Sequence, residues 1–403
     1  MDLEKELKSY PGRSSCLDEI IKSCNKIWNN PLLPWFTKHD VSHSKEIIHL
    51  LGQILSPLED TLQKLNEHEL FILLASAYLH DIGMQNLKVD NISIDKLTSN
   101  EYELIRKRHA EESHDIILKR LNIPIQRDDF YLPIIEDDYL PIIAKVSKGH
   151  ATDFFEESID FFEKNPAKPL NRTVRAKLLT SLLMIADELD LQSKRAGFFE
   201  TAKFNLSDYS AVHWYKHHYV ASVGVDKGTV CLTLEFPEDA NEYKDLIKEL
   251  IETKLKTQLD KVRPILKEST EGLLHLNDID IQTRTDGSGA KRRLPDGALK
   301  ELKKILKEPE PVVSDIKEAE DIISPIMPRS SKIFTGRKDE LERFGEALKQ
   351  SNLISIEGLG GIGKSEFAAN CVEEYLQTGK SVWFECSPKQ NWIPLLIAVV
   401  ILM

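Results

Sequence analysis

The sequence predicts a mainly α protein: a helical bundle over 1–199, a small α+β extension over 200–278, a linker over 279–332, and an incomplete α/β phosphate-loop domain over 333–403. Three observations carry this reading. Apolar residues recur at helical spacing through the first half, as in Ile47, Ile48, Leu50, Leu51, Ile54 and Leu55, and again in Leu70, Leu73, Leu74, Ala77 and Leu79. Two β-rich runs, 219–225 and 229–236, flank the turn-forming Asp226-Lys227-Gly228. Near the other end, a glycine-rich loop lies between a short apolar run, 353–356, and a stretch of helical periodicity.

Taken in order, Pro31, Pro34 and Pro57 punctuate the first helices. Ser42 is placed to cap a helix opened by His43, and Gly83 marks the end of the helix in LLASAYLHDIG. Asp137 or Asp138 is placed to cap a helix with Pro141 in its first turn. The hairpin is expected as two strands joined by a three-residue loop, entered through His213-Trp214-Tyr215-Lys216-His217-His218. Neighbouring strand residues face opposite sides, so His217 and His218 are not expected to chelate together. An amphipathic stretch follows over 241–274, and then the polar 283–297, which contains Gly-Ser-Gly and Lys291-Arg292-Arg293 and reads as a solvated connector. The strand expected after the glycine-rich loop is 381–386, and the apolar 393–403 reads as a helix or strand of a domain core.

Composition narrows the class. An apolar fraction of 41% with 29% charged residues is that of a folded globular chain. A net charge of -12 opposes coating of nucleic acid by bulk charge. The five cysteines form no C-x-x-C pair, as expected of free thiols in a reducing compartment. With no signal-peptide pattern and no apolar run long enough to span a bilayer, a cytoplasmic protein without membrane contact is expected.

The strongest chemical signal is an ordered set: His43, His80-Asp81, His109, His150 and Asp187, each within or beside an apolar helical pattern. Neutral imidazole nitrogens and carboxylate oxygens suit first-row divalent metals. Donors gathered from several helices make a rigid site in a bundle core. Six of them suffice for two ions, with Asp81 placed to bridge, and two-ion sites clamp the attacking and leaving oxygens of phosphoryl transfer. His49, His68, His114 and His275 read as ordinary core or surface residues.

With FTKHDVSHS, AYLHDIG and IADELD around it, this order resembles the HD-domain superfamily of metal-dependent phosphohydrolases over about residues 30–195. It is most similar to the HD domains of bacterial conflict and signalling proteins. The resemblance implies that His43, His80, Asp81 and Asp187 hold one ion and that His109 and His150 extend the site to a second, as Mn, Fe, Ni or Mg. The related cyclic-nucleotide phosphodiesterases carry an H-N-x-x-H string whose first histidine protonates the leaving oxygen. Here the string is His39-Asp40-Val41-Ser42-His43, with Asp in place of Asn. His39 is thus either that acid or a residue packed on the first turn.

Gly358-Leu359-Gly360-Gly361-Ile362-Gly363-Lys364-Ser365 matches the phosphate-loop pattern, in which backbone N–H groups cradle phosphates. Lys364 would neutralise phosphate charge and Ser365 would contact Mg²⁺. With the preceding IFTGRKDELERF, the stretch 333–403 resembles the entry of STAND-type signalling ATPases. That implies ATP/Mg binding and homo-oligomerisation. The sequence runs from Lys364 only to Met403, with no later apolar run ending in Asp, so a truncated module is expected.

Together these readings predict a metal-dependent phosphohydrolase or phosphodiesterase acting on a nucleotide or nucleotide-derived substrate, with His39 and Asp81 catalytic. It would be an effector gated by the ATPase module, and the resemblance extends this to anti-phage defence. A non-catalytic nucleotide sensor and a metal-dependent single-strand nuclease are the alternatives; the acidic balance disfavours nucleic acid.

Overall fold

In the computed structural model the described residues are 1–28, 40–85, 99–119, 133–192 and 208–307, with residue 343 and the strand segments 380–385 and 397–402. The chain divides into two compact units, Met1–Glu310 and Pro311–Met403. The first is mainly helical.

Two helices form its centre. α1 (Leu3–Leu7), α2 (Pro11–Trp28) and α3 (Val41–Ile54) precede α4 (Glu67–Leu79), whose FILLASAYL is apolar on every side and buried throughout. A helix apolar all round has to be surrounded; α1, α2, α3 and α6 (Leu140–Lys148) do this. α5 (Ser99–Lys119) packs on α6 and on the short 3-10 turn Ile82–Gln85 that follows α4. α7 (Thr152–Lys164) leads to α8 (Ala176–Leu189), the second central helix, which touches α3, α4, α6 and α7.

α4 and α8 are pinned together at their N-terminal ends. Asn66 and Glu69 form a reciprocal capping box at the start of α4. Glu69, 1% exposed, also accepts from the backbone N–H of Arg175 at 2.9 Å and from its Nε and Nη2 at 2.8 Å each. A two-pronged guanidinium–carboxylate pair is strong and directional. α4 has 13 residues, so its other end lies about 20 Å away. That far end carries His80 and Asp81, and the matching end of α8 carries Asp187.

Residues 208–307 add to this core. α9 (Asp208–Tyr219) runs directly into β1 (Val220–Asp226), which pairs antiparallel with β2 (Thr229–Phe236). α10 (Lys244–Ser269) packs on α8, and β3 (Asp278–Thr285) returns parallel to β2. A parallel return needs a crossover of this kind. α11 (Asp296–Ile305) then packs on α9. β1 is also tied to α3, because the Val225 N–H donates to Gln53 Oε1 at 2.8 Å.

Several local expectations are corrected. The hairpin loop has two residues, Lys227 (φ 45°) and Gly228 (φ 80°), since Asp226 still pairs with Thr229. Two consecutive left-handed residues make the turn that suits strand twist. His213–His218 lie on helix α9, not on a strand. The stretch 283–297 is not a solvated linker, because it completes β3 and packs on α9. Lys291 Nζ donates to His218 O at 2.5 Å, and Arg292 N–H to His218 Nε2 at 3.1 Å. The helical bundle and the extension therefore share one unit. Asp40, not Ser42, caps α3, accepting from the N–H groups of Ser42 and His43. Neither Asp137 nor Asp138 caps α6: its N-cap is Tyr139, while Asp138 accepts from Leu170 N–H at 3.0 Å.

In the second unit, the two expected apolar runs are strands, β4 (Lys380–Glu385) and β5 (Ile397–Leu402), paired antiparallel. The intervening 386–396 is too short for a parallel crossover. The phosphate-loop residues Gly358, Gly360, Gly361, Gly363, Lys364 and Ser365 lie outside the described residues, and so does the motif before them except Arg343. Among the described residues, Cys16, Cys24 and Cys231 are free thiols, and no helix is long and apolar enough to cross a membrane.

Arg175→Ala leaves the Glu69 carboxylate buried without its guanidinium. This should cost about 3 kcal/mol of stability, read as a lower urea midpoint. At Asp286, the Ser288 hydroxyl and the Lys291 and Ser288 N–H groups donate to the carboxylate and hold its pKa down to about 2. An unfolded Asp titrates at about 3.9. The carboxylate therefore stabilises the fold above that pH, and this contribution is lost as pH falls through about 2. Asp286→Ala should lower the urea midpoint at pH 7 and make little difference at pH 2.

Candidate metal centre

Five separate stretches deliver the six predicted donors to one place. His43 occupies the third position of α3, held there by the Asp40 cap on its own N–H. His80 is the C-cap of α4, and Asp81 is the next residue, where the chain leaves the helix. His109 projects from α5, His150 follows the end of α6, and Asp187 lies in the last turn of α8.

Asp81 lies at the middle. Its Oδ2 is 3.0 Å from His80 Nε2 and 3.4 Å from His43 Nε2. Its Oδ1 is 3.3 Å from His109 Nε2 and 3.7 Å from His150 Nε2. The two oxygens of one carboxylate thus face two different histidine pairs. Asp187 Oδ1 closes the first pair, 3.1 Å from His43 Nε2 and 3.8 Å from His80 Nε2. The second pair is 3.0 Å apart, Nε2 to Nε2. Two triads have ligand atoms within 4.8 Å of one another: His43, His80 and Asp187, and His80, Asp81 and His150.

The opposite nitrogen of each ring is tied down. Nδ1 of His80 meets Ala77 O at 3.0 Å, Nδ1 of His150 meets Ser147 O at 2.5 Å, and Nδ1 of His109 meets Arg106 O. In each case the acceptor is the carbonyl three residues earlier. His43 Nδ1 instead meets Asp190 Oδ2 at 2.5 Å. A carbonyl can only accept, so Nδ1 carries the hydrogen and Nε2 presents a lone pair inward. That is the outer-shell arrangement of metal-binding histidines.

The electrostatics agree. Burial, reinforced by the neighbouring His80 and His109, pushes the His150 pKa down to about 3, so its ring is neutral at physiological pH. At Asp187 burial pushes upward, but the hydrogen bond and charge of His43, with His80 and His150, outweigh it and hold the carboxyl well below the usual range. His80 Nε2 is sealed from solvent without a hydrogen bond. A buried polar atom without a partner is costly, and a divalent ion bound to that lone pair would satisfy it. The donor set of imidazoles and carboxylates fits such an ion.

Gly83 lets α5 come close enough to join. Its N–H donates to Ser113 Oγ at 2.8 Å, and a Cβ there would lie 2.1 Å from His109 O and 2.6 Å from Ser113 N. The glycine is therefore a contact point for α5, four residues past the end of α4, and not that helix's C-terminal marker. The centre also has an open side. The side chains of His43 and His80 are 1% exposed and that of His150 is 2%, against 16% for His109 and 27% for Asp187.

His39 lies outside the described residues. Of the histidines read as ordinary, His68 meets Tyr139 Oη at 2.5 Å and His49 lies 3.0 Å from Gln53 Nε2. Asp190 escaped sequence reasoning. It stands three residues after Asp187 in IADELD, just past the helix end, and that second acid was its one available signal. Asp190→Asn should weaken metal binding roughly 10–100-fold, because the outer-shell carboxylate that orients His43 is lost. Elemental analysis after dialysis against graded chelator measures this.

No curated protein matches the chain. The family model HD-CE matches residues 33–265, a span that includes all six donors and runs on through β1, β2 and most of α10. The chain belongs to the HD-CE family.

Proposed function

We propose that the chain is a metal-dependent phosphohydrolase that cleaves a phosphoester bond in a nucleotide or nucleotide-derived substrate. The observation that carries this is the placement of Asp81, with one carboxylate oxygen toward His43 and His80 and the other toward His109 and His150. Membership of an HD-type family and the two buried His/Asp triads support the same reading.

In this proposal His43, His80, Asp81 and Asp187 would hold one divalent ion, and Asp81, His109 and His150 would hold a second. Ions so held would supply positive charge to a phosphate and make water a stronger nucleophile at neutral pH. The protein's own residues do the rest. The Nδ1 bonds to Ala77, Arg106, Ser147 and Asp190 keep the four rings from rotating, so little reorganisation is needed when charge develops. The partly exposed side, between His109 and Asp187, admits the substrate. Water gives up a proton to solvent as its oxygen adds to phosphorus, the ester P–O bond breaks, and His39, next to Asp40 in the sequence, is assigned to protonate the departing oxygen. The Gly358–Ser365 loop is assigned a regulatory nucleotide site, on the strength of its glycine and lysine spacing.

Replacing His80 and Asp81 together by Ala should abolish hydrolysis of bis-p-nitrophenyl phosphate in a panel of Mn²⁺, Fe²⁺, Ni²⁺ and Mg²⁺, with helical circular dichroism unchanged. Turnover retained by the double variant would sink the assignment. Metal bound stoichiometrically by the native chain, without turnover on any ester or nucleotide, would turn the site into a sensor.

A further inference from the structure

One buried residue of α10 breaks the pattern of its neighbours. Ile247, Ile251, Leu255, Leu259, Val262 and Leu266 form the buried face of that helix, and Gln258, 3% exposed, is the one polar residue among them. It stands three residues after Leu255 and four before Val262, so it belongs to the same stripe. Its amide is only half satisfied. Nε2 donates to Thr152 Oγ1 at 2.7 Å, while Oε1 is shielded from solvent and has no hydrogen-bond partner among the described residues. Burying such an atom costs stability. Packing alone would favour Leu or Met at this position, with similar volume and no polar atom to satisfy.

The hydrogen bond ends on the turn that carries His150. Thr152 is the first residue of α7, two after His150, and the N-cap between them, Ala151, makes no side-chain cap. On the other side of the histidine, Gly149 is the C-cap of α6 and lies directly against α8 and α7. A Cβ on Gly149 would be 2.4 Å from Thr180 Cγ2 and 2.9 Å from Ser158 Cβ. The His150 ring itself is held from within the turn, by Ser147 O. That bond sets the direction of the ring but moves with the turn. The turn is fixed against the rest of the unit by Gly149 at one end and by Thr152, through Gln258, at the other.

We infer that Gln258 is a positioning residue for the metal centre. Through Thr152 it holds the 149–152 turn, and with it the His150 imidazole, whose Nε2 stands 3.7 Å from Asp81 Oδ1. The inference rests on the reading of Asp81, His109 and His150 as the ligands of a second ion. His43, His80 and Asp187 stand on α3, α4 and α8, so the first ion does not depend on this strut. α10 thereby gives the second ion a support that α3, α4 and α8 do not supply.

The test is a binding measurement that needs no turnover. Co²⁺ is titrated into the metal-depleted full chain without nucleotide, and heat and visible absorption, which reports ligand geometry, are followed together. The native chain should take up two ions. Gln258→Leu should weaken the second about tenfold, the lower end of the loss when a group supporting a ligand is removed, and should alter its absorption. The first ion should bind as before. The urea midpoint of the same variant should be equal or higher, because a half-satisfied buried amide has given way to an apolar side chain. A merely structural role predicts the opposite pair, a lower midpoint with both ions unaffected. Thr152→Val, which removes the hydroxyl at nearly constant volume, should weaken the second ion to the same extent and add nothing in the double variant. Thr152→Ser should keep native affinity. Second-ion binding unchanged in both Gln258→Leu and Thr152→Val, or weakened only in step with a lower midpoint, overturns the inference. Failure of the two-ion reading would appear separately, as a native chain that takes up one ion or none.

Discussion

Everything at the centre depends on keeping four imidazole lone pairs turned toward one buried carboxylate. Left alone, a buried imidazole takes whichever tautomer and rotamer satisfies it locally. Here that freedom is removed at Nδ1, by three backbone carbonyls and by Asp190. The three carbonyls lie three residues before the rings they hold, so α5 and the ends of α4 and α6 provide both the histidine and its anchor. Such a site is rigid because ordinary helix geometry makes it so.

The rest of the fold brings those anchored rings together. The Glu69–Arg175 pair clamps α4 and α8 at one end, and the ligands emerge at the other. Because α4 is apolar on all sides, it is wrapped by α1, α2, α3 and α6, and this places His43 and His150 on either side of His80. Ring centroids 5.2 Å apart for His43 and His80, and 4.6 Å for His80 and His150, measure how tightly the wrapping converges. α5 packs over Gly83, where any side chain would collide with the backbone of His109 and Ser113. Packing and chemistry therefore share the same few residues.

The strands and helices after residue 208 contribute to the same unit. α10 lies along α8 and carries Lys254 to Glu188, while α9 brings Lys216 to within 4.0 Å of the same carboxylate. The match to the family model runs across both parts, in keeping with one shared core.

Much was legible in the sequence because it depends on neighbours along the chain. Helical periodicity revealed α3, α4 and α8, Asp226-Lys227-Gly228 announced the hairpin, and the spacing of His43, His80-Asp81, His109, His150 and Asp187 named the donors. Residues 283–297 misled because a polar, glycine-containing stretch looks the same as a connector or as an edge strand with its loop. Pairing with β2 decides between them, and pairing is a long-range property. Likewise, His213–His218 carry no signal separating helix from strand strongly enough to outweigh the β-run they enter. The role of Asp190 became visible only once α3 and α8 were side by side. What the sequence by itself determined was which side chains can bind a metal and on which helices they ride. Only tertiary structure decided which oxygen of Asp81 faces which histidine and that Asp190 holds the His43 ring, because each is a distance between residues far apart in the chain.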